Sequence, residues 1–356
     1  MGWLSVIAPG ARTLVQDLGF VGGRSQGVPP GGVMDRAGLL LLNALLGDPP
    51  GTEVLEVTLT GPTLLAEGAA IRVALSGTLS AQVIATDGGT RHLPAWTATT
   101  LAEGERLVVS APAAGPYGMI GLAGGIDVPR LLGSRSTCLR AGFGGFQGRA
   151  LAAGDRLPVR PAAPGQPDRR LRPQLPDEGP IRVVPGPQGE RFGADGLRAL
   201  TSQTYIVTPD CDRMGLRLDG PALPFAPGFT ADILSDGIVP GAIQVPANGQ
   251  PIVLLAHAQT TGGYAKIATV IGTDLPRLAR LSPGDRLHFA ALTVAEAEEL
   301  ARTQRQALEQ VTASIEDVGD TAALLGANLI GGVVDMARPD HFDGHLGPAD
   351  AKAHAP

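Results

Sequence analysis

Cysteine is scarce in this chain, which has only Cys138 and Cys211 among its 356 residues. Two cysteines are too few for the disulfide framework of a small secreted domain, and they are typical of a reducing compartment. Residues 1–9 also lack the positively charged start of a signal peptide and soon reach Pro9. The sequence therefore predicts a cytoplasmic protein.

Excess positive charge and long apolar runs are also lacking. The formal net charge is −6, which argues against nucleic acid or an anionic membrane surface as a partner. The longest helix-like apolar run, at residues 37–46, is about half as long as a membrane-spanning helix requires. We therefore expect no nucleic acid and no membrane among the partners.

Several catalytic motifs are absent from the sequence. It contains no Gly-x-x-x-x-Gly-Lys-[Ser/Thr] loop for ATP phosphates and no His-Glu-x-x-His or paired Cys-x-x-Cys zinc site. Residues 23–27 match the Gly-x-Ser-x-Gly pattern, but Pro29 and Pro30 exclude the helix that such a nucleophile needs. Residues 340–345 are rich in acids and histidine but lie in a polar tail. No metal site is predicted.

Glycine and proline, by contrast, are abundant, with 50 and 31 residues respectively. They separate short apolar runs, a pattern that predicts a mainly β protein rich in turns. Three phrases recur along the chain, and their repetition, together with the length, predicts two related β domains. The phrases are Leu-x-Gly-Pro-x-Leu at residues 59 and 218, Gly-x-Asp-x-Pro-Arg-Leu at 125 and 272, and Leu-x-x-Gly-[Asp/Glu]-Arg-Leu at 101, 151 and 281.

Local signals predict individual elements. Asp35 as an N-cap and Gly47 after the last turn bound a helix at Arg36–Leu46. Breaks at Pro9-Gly10 and Gly61-Pro62 predict two β-hairpins. A capping box, Thr293 to Glu296, begins an amphipathic helix.

Composition also predicts the domain boundaries. Residues 161–180 contain six prolines and no apolar periodicity, which is typical of a stiff, exposed linker. The apolar residues 324–336 must dock against another surface. The predicted units are an N-terminal β domain (1–160), the linker (161–180), a C-terminal β domain (181–290), a helical extension (291–337) and a disordered tail (338–356).

Residues 243–269 are the stretch around which the chain is organised. A turn at 246–249 leads into one apolar strand, a second begins at Ile267, and polar residues with two glycines lie between them. Buried polar groups need partners, so two interpretations stay open: a hairpin whose hydroxyls cap its own backbone, or a ligand site. Lys266 favours the site, because the only other lysine is Lys352 in the tail and an ammonium suits a carboxylate or phosphate.

Two further groups of polar residues have both a structural and a functional explanation. In residues 211–215, Asp212 and Arg213 are either a weak surface pair or an arginine held to meet a carboxylate. The group around the glycine-rich residues 19–32 is explained by capping and loop hydrogen bonds as well as by a site. Its members are Gln16, Asp17, Gln26, Asp35 and Asn43.

Six phrases, in order, resemble those of one family, the allophanate hydrolase subunit 2 type, which includes KipA, the C-type subunit of 5-oxoprolinase and the matching part of urea carboxylase. The resemblance covers residues 3–290 and implies two tandem cyclophilin-like β-barrel domains with few short helices and a C-terminal helical extension. Two positions depart from the family: Phe20 stands where relatives commonly carry arginine, and His257 where aspartate is usual. The phrases are QDLG from Gln16, QGVPPGGVMD from Gln26, LEVTLTGP from Leu55, DRMGLRLDGP from Asp212, GAIQVP from Gly241 and QTTGGY from Gln259.

The resemblance implies a C-type subunit of an ATP-dependent 5-oxoprolinase, which opens the cyclic amide 5-oxoproline to glutamate. Its expected partners are a KipI-like protein as the B-type subunit and a LamB/YcsF-type protein as the A-type subunit, with ATP bound by the complex or by this chain. One alternative is the carboxyltransferase component of a urea or amide carboxylase, with biotin on a separate carrier. The other is a KipA-like, non-catalytic regulator that binds a KipI-like kinase inhibitor.

The candidate site residues combine the polar clusters with the family phrases. Lys266 and Arg213, with Asp212 beside them, are the candidate catalytic residues, because cations would stabilise a phosphate or a developing oxyanion. The candidate substrate-binding residues are Gln16, Asp17, Gln26, Asp35, Glu56, Gln244, Gln259, Thr260, Thr261, Gly263 and Tyr264.

Overall fold

The computed structural model describes residues 2–173 and 179–318. Within them lie 22 β-strands and four α-helices, which confirms the prediction of a mainly β chain with few helices and a helix near the C-terminus. No helix in this part of the chain is both long and apolar enough to cross a membrane.

The elements follow one another in two halves, 2–173 and 179–318, with short helical turns at Arg24–Gln26, Gly189–Arg191 and Gly272–Asp274. The first half contains β1 (Gly2–Ala8), β2 (Arg12–Gln16), α1 (Arg36–Leu46), β3 (Val54–Thr58), β4 (Thr63–Glu67), β5 (Ile71–Leu75), β6 (Ala81–Ile84), β7 (Thr90–Leu93), β8 (Thr97–Leu101), β9 (Arg106–Val109), β10 (Tyr117–Leu122), β11 (Arg156–Val159) and β12 (Asp168–Arg170). The second contains β13 (Ile181–Pro185), α2 (Gly193–Ser202), β14 (Thr204–Cys211), β15 (Gly215–Asp219), β16 (Asp232–Gly237), β17 (Ala242–Gln244), β18 (Ile252–Leu254), β19 (Thr261–Tyr264), β20 (Lys266–Val270), α3 (Leu275–Leu278), β21 (Arg286–Ala291), α4 (Val294–Ala313) and β22 (Glu316–Val318).

The first half is built from two sheets. One has the strand order β11-β1-β4-β9-β6-β7, and the other the order β2-β3-β10-β5-β8-β12-β22. Apolar side chains of both sheets, such as Leu64 and Val73, form a common core from which water is excluded. Helix α1 packs on the second sheet through a separate core that contains Leu42 and Leu45. That sheet is therefore covered on both faces, and every residue of β3 and β5 is buried.

Both expected hairpins are wrong. Strand β1 pairs with β4 and β11, whereas β2 pairs with β3. Strands β3 and β4, on either side of Gly61-Pro62, also belong to different sheets. The turns at Pro9-Gly10 and Gly61-Pro62 carry the chain from one sheet to the other. Turn residues predicted where the chain turns but not which strands pair.

Helix α1 has the bounds that the sequence predicts. The Asp35 carboxylate accepts a hydrogen bond from the Gly38 backbone N–H at 2.8 Å. At the other end, Gly47 adopts a φ of 78° and closes the last turn. The capping box of α4 is also present, with Thr293 and Glu296 exchanging hydrogen bonds.

The Leu-x-x-Gly-[Asp/Glu]-Arg-Leu phrase forms the same turn at all three of its positions. The acidic residue accepts a hydrogen bond from the backbone N–H three residues earlier, at 2.9 Å for Glu105, 2.7 Å for Asp155 and 2.7 Å for Asp285. The glycine before it has a φ of 84°, 88° and 93° respectively, a conformation that favours glycine. Each turn leads into a strand, as the sequence predicts.

The second half is a closed barrel of seven strands in the order β13-β20-β17-β18-β15-β14-β21. The parallel pairing of β13 with β21 closes the ring. The hydrophobic core of this half contains Tyr205, Phe192 and Phe289, although aromatic residues are few in the sequence. Strands β16 and β19 form a separate two-stranded ribbon. Helix α2 has no counterpart in the sequence predictions.

The interval predicted as a linker, residues 161–180, is partly structured. It contains a strand that pairs the C-terminal strand β22 with the second sheet of the first half. Strand β12 lies inside residues 161–180 and pairs with β8 on one side and with β22 on the other. Helix α4 leaves the barrel and packs Leu308 and Val311 against the core beneath α1. The chain therefore returns to the first half after completing the second. Residues 324–336 and the predicted tail 338–356 lie outside the described residues.

The second copy of Gly-x-Asp-x-Pro-Arg-Leu gives a stability prediction. Asp274 is fully buried and pairs with Arg182 and Arg277. We expect Asp274→Ala to lower the free energy of unfolding by about 3–5 kcal/mol, because the largely buried Arg277 loses its counter-ion and the Arg182 backbone N–H loses its acceptor. Urea denaturation followed by circular dichroism would measure the loss.

The first copy of the phrase provides the control. Asp127 occupies the equivalent position but is exposed. Asp127→Ala should change the free energy of unfolding by less than about 0.5 kcal/mol. Equal losses in the two variants would contradict the role given to Asp274.

Candidate functional site

A buried ion pair joins the two halves. Arg213 follows β14 of the barrel and is only 3% exposed, and Glu56 on β3 of the first half is 1% exposed. The Arg213 guanidinium pairs with the Glu56 carboxylate and also donates to the Gly32 carbonyl oxygen. Glu56 in turn accepts from the Met34 backbone N–H at 2.7 Å. The glycine-rich residues, β3 and the barrel are thus fixed to one another at this point.

His257 completes the arrangement around Arg213. An Arg213 guanidinium nitrogen lies 3.2 Å from His257 Nε2, and the His257 backbone N–H donates to the Arg213 carbonyl oxygen at 2.9 Å. Burial, and then the charges of Arg213 and Arg12, lower the pKa of His257 from 6.5 to about 3. The imidazole is therefore neutral near pH 7 and serves as a hydrogen-bond acceptor for the guanidinium. All these contacts of Arg213 are internal, so they give it a structural role.

Asp17 organises the loop that precedes β11. Its carboxylate accepts hydrogen bonds from the hydroxyls of Ser134 and Ser136, each at 2.6 Å, and from the Arg135 backbone N–H at 2.6 Å. It also accepts from the Gly19 N–H at 2.7 Å. The neighbouring Gln16 donates to the Thr137 carbonyl oxygen at 3.0 Å. These two candidate residues therefore hold the loop in place, and no sequence signal had marked Ser134 or Ser136.

The remaining members of the N-terminal cluster lie apart from Asp17. Asp35 caps α1 and has Arg280 of the second half at 3.8 Å. Burial raises the pKa of the Asp35 carboxyl, more than the Gly38 N–H and Arg280 lower it. Gln26 is exposed in a short helical turn, and Asn43 fixes the end of α1 by accepting from Gly51 N–H at 2.8 Å.

A polar cleft of about 980 Å³ opens on the barrel. We call it the barrel cleft. It brings together four of the predicted site residues, Asp212, Gln244, Gln259 and Tyr264, with lining residues of β14, β15 and β18. The Asp212 carboxylate is partly engaged, because it accepts from the Met214 N–H at 2.7 Å.

Gln244 is the buried polar side chain of the barrel cleft. It is 2% exposed, and its amide nitrogen makes a long contact of 3.4 Å with the Tyr264 carbonyl oxygen. The described residues provide no hydrogen-bond donor for its amide oxygen. This oxygen is therefore available to an N–H group of a ligand in the barrel cleft.

Lys266 lies behind the ribbon of β16 and β19. Its side chain is 4% exposed, and Nζ donates to the Asp236 carboxylate of β16 at 2.7 Å. The hydrogen bond from Lys266 is the largest cause that lowers the pKa of Asp236. Thr261, Gly263 and Tyr264 lie on β19 of the ribbon. The polar residues between the two apolar strands were predicted to form either a capped hairpin or a ligand site. They contain strand β19 and also border the barrel cleft.

Apart from the N-terminal cluster, the predicted residues thus fall into three main places rather than one site. Arg213 and Glu56 lie in the seam between the halves, Lys266 lies under the ribbon, and Gln244 and Tyr264 line the barrel cleft. Thr260 lies just before the ribbon, where its carbonyl oxygen accepts from the Ile238 N–H at 2.9 Å. Among residues 2–173 and 179–318, no group of three or more acidic, histidine or cysteine side chains could hold a metal ion.

The two positions that depart from the family pattern are neighbours in space. A Cβ atom placed on Gly31 would lie 3.1 Å from the Phe20 ring and 3.8 Å from His257 Nε2. Phe20 also packs on Phe143, with ring centroids 5.2 Å apart. The changes at positions 20 and 257 therefore affect one place, the contact between the glycine-rich residues and the barrel.

The lowered pKa of His257 gives a pH-dependent stability. The unfolded chain binds a proton at this imidazole below about pH 6.5, whereas the folded chain does not until about pH 3. Acidification from pH 7 to pH 5 should therefore cost about 2 kcal/mol of stability through His257 alone. In His257→Gln, which keeps an acceptor for Arg213, that part of the loss should disappear.

Urea denaturation at the two pH values would measure the difference between wild type and variant. His92 on β7 is exposed, so His92→Gln is the matched control and should retain the wild-type pH dependence. An unchanged pH dependence in His257→Gln would show that the imidazole beside Arg213 is not neutral.

Comparisons with known proteins agree with this architecture. Residues 26–291 match the family described as the carboxyltransferase domain, subdomain A and B. The chain is 34% identical over 310 residues to the C-type subunit of 5-oxoprolinase from Escherichia coli, an alignment that covers 86% of this chain and 97% of the relative.

Longer proteins contain a similar region. The urea amidolyase of Lachancea kluyveri is 30% identical over 331 residues, which are 85% of this chain and 18% of the relative. The crystal structure of the Kluyveromyces lactis urea carboxylase superposes with a TM-score of 0.78 at 28% identity, covering 88% of this chain and 29% of that one. The chain therefore spans less than a third of each of these two enzymes.

Proposed function

The chain belongs to the carboxyltransferase domain family, subdomains A and B, and we propose that it acts as the C-type subunit of an ATP-dependent 5-oxoprolinase. In this proposal it cleaves the cyclic amide of 5-oxoproline to glutamate only together with partners of the A type and the B type. The observation that carries the proposal is the similarity to the C-type subunit of the Escherichia coli 5-oxoprolinase over 97% of that protein's length.

The barrel cleft is the part of this chain that we assign to the amide. The Gln244 amide oxygen accepts the amide N–H of the substrate, because the described residues supply no hydrogen-bond donor to this oxygen. Gln259 and Tyr264 lie at the same cleft and supply further polar contacts. Lys266 holds the adjoining ribbon in place through Asp236. Arg213 and Glu56 act at a distance, by fixing the halves to each other.

We assign ATP to the assembled complex rather than to this chain alone. The sequence has no P-loop, and the Lys266 ammonium, which would suit a phosphate, is occupied by Asp236. The KipI-like and LamB/YcsF-type proteins are the proposed partners that supply the remaining surface of the active site. We propose a cytoplasmic location for the complex.

The charge of the barrel cleft favours a second candidate function, carboxyl transfer to urea or a similar amide. Asp210, Asp212 and Asp219 line the cleft, and Arg217 is its only cationic lining residue in the part of the chain described. A neutral amide that donates hydrogen bonds suits such a surface better than the anionic 5-oxoproline does. Biotin would then arrive on a separate carrier protein.

The first experiment is to co-express the chain with its LamB/YcsF-type and KipI-like partners and to follow ATP-dependent glutamate formation from 5-oxoproline. We expect activity that requires this chain. Gln244→Leu should lower kcat/KM about tenfold or more, because one hydrogen bond to the substrate is lost. Gln82→Leu is the matched control, because Gln82 is exposed on β6 of the first half.

Thermal melts of both variants would show that they are folded. An assembled complex that forms no glutamate would overturn the oxoprolinase proposal, and urea with a carboxybiotin donor would be the next substrate pair. Full activity in Gln244→Leu would leave the oxoprolinase proposal intact but would exclude the barrel cleft as the amide site.

A further inference from the structure

A second concavity lies on the seam between the two halves. This seam groove has a volume of about 530 Å³ and is bounded by the glycine-rich residues and α1 of the first half, by Leu255 and Leu275 of the second, and by Leu308 of α4. Apolar side chains dominate its lining. Its size, its apolar walls and its position between domains are typical of small-molecule binding sites.

The charges of the seam groove are all of one sign. Arg24 and Arg36 line it, and no aspartate or glutamate does. Arg36 lies exposed at the mouth and donates to the Leu18 carbonyl oxygen at 2.9 Å. The Arg24 Nε is buried and has no hydrogen-bond partner among the described residues. The lining therefore supplies no anion for Arg24, whereas Arg36 interacts with the charge of Asp17 outside the groove.

Several other arginines with low exposure contact an acidic side chain, unlike the partly buried Arg24. The guanidinium of Arg160 pairs with Glu53, that of Arg213 with Glu56, and that of Arg277 with Asp274. The described residues include no acidic partner for Arg24, although desolvating a cation without a counter-ion costs free energy. A carboxylate ligand would supply the missing partner, since a guanidinium binds a carboxylate through two parallel hydrogen bonds.

The apolar side chains that line the seam groove indicate that its ligand also has an apolar part. Val21, at the rim of the groove, is 87% exposed, so a large apolar side chain faces water there. Leu40, Leu275 and Leu308 are only partly buried. A ligand with an apolar body would cover these side chains and gain the corresponding hydrophobic free energy.

We propose that the seam groove binds a carboxylate with an apolar body, of the medium-chain or aryl class, with its carboxylate on Arg24 and its apolar part along Val21 and Leu275. The groove is a second ligand site, separate from the barrel cleft and from the amide chemistry assigned to it. Because both halves and α4 contribute walls, the ligand contacts all three and stabilises their packing.

A fluorescence titration with anilinonaphthalene sulfonate, an anion with an apolar ring system, tests the proposal on the full chain. We expect saturable binding that octanoate displaces and that octylamine, which has the same chain length and the opposite charge, does not. Arg24→Ala and Val21→Asp should each weaken probe binding about tenfold, because the first removes a charged hydrogen-bond donor and the second adds a like charge.

Leu234→Asp is the matched control. Leu234 on the ribbon is 95% exposed and lies outside the seam groove, so the same kind of substitution should leave probe binding unchanged. Equal binding by wild type and Val21→Asp would overturn the proposal, and so would displacement by octylamine as effective as that by octanoate. The readout is binding and not glutamate formation, so its failure is distinct from a failure of the proposed function.

Discussion

The buried contact between Arg213 and Glu56 is the interaction on which the arrangement of the two halves depends. Each charge is almost fully removed from water, and such a pair is tolerated only when both members find partners. Arg213 finds Glu56, the Gly32 carbonyl and a neutral His257, and Glu56 finds the Met34 N–H. Neither half satisfies these groups alone, so the seam must close for either side chain to be paired.

Two neighbouring residues connect this seam with the barrel cleft. Arg213 points into the seam, whereas the preceding Asp212 lies at the cleft. The contact that fixes the halves thus also sets the position of the cleft's rim. Helix α4 also holds the two halves together, because it leaves the barrel and packs on the core beneath α1. The cleft lies within the second half, whereas the seam groove is lined by both halves.

Local features were predictable from the sequence, and long-range partners were not. The bounds of α1 followed from Asp35 and Gly47, and the repeated turns followed from a glycine and an acidic residue, since in both cases the bonds are made within a few residues. The hairpins at Gly10 and Gly61 were wrong because the strands that meet there belong to different sheets. No local pattern reports which sheet a strand joins.

The candidate site shows the same division between local features and long-range partners. The family phrases identified Gln244 and Tyr264, which the fold brings to the barrel cleft together. They also identified Arg213, but its partner Glu56 is 157 residues away along the chain (213 − 56), so sequence could suggest a cation without showing that it is buried.

The measurement that tests this account most directly is a double-mutant cycle across the seam, with Glu56→Gln, Arg213→Met and the double variant unfolded in urea beside wild type. Each single variant should lose about 3 kcal/mol or more, because the remaining partner stays buried. The double variant should lose at least about 2 kcal/mol less than the sum of the two. Losses that add to within about 0.5 kcal/mol would show that the two residues act independently, and would contradict the central place given to their contact.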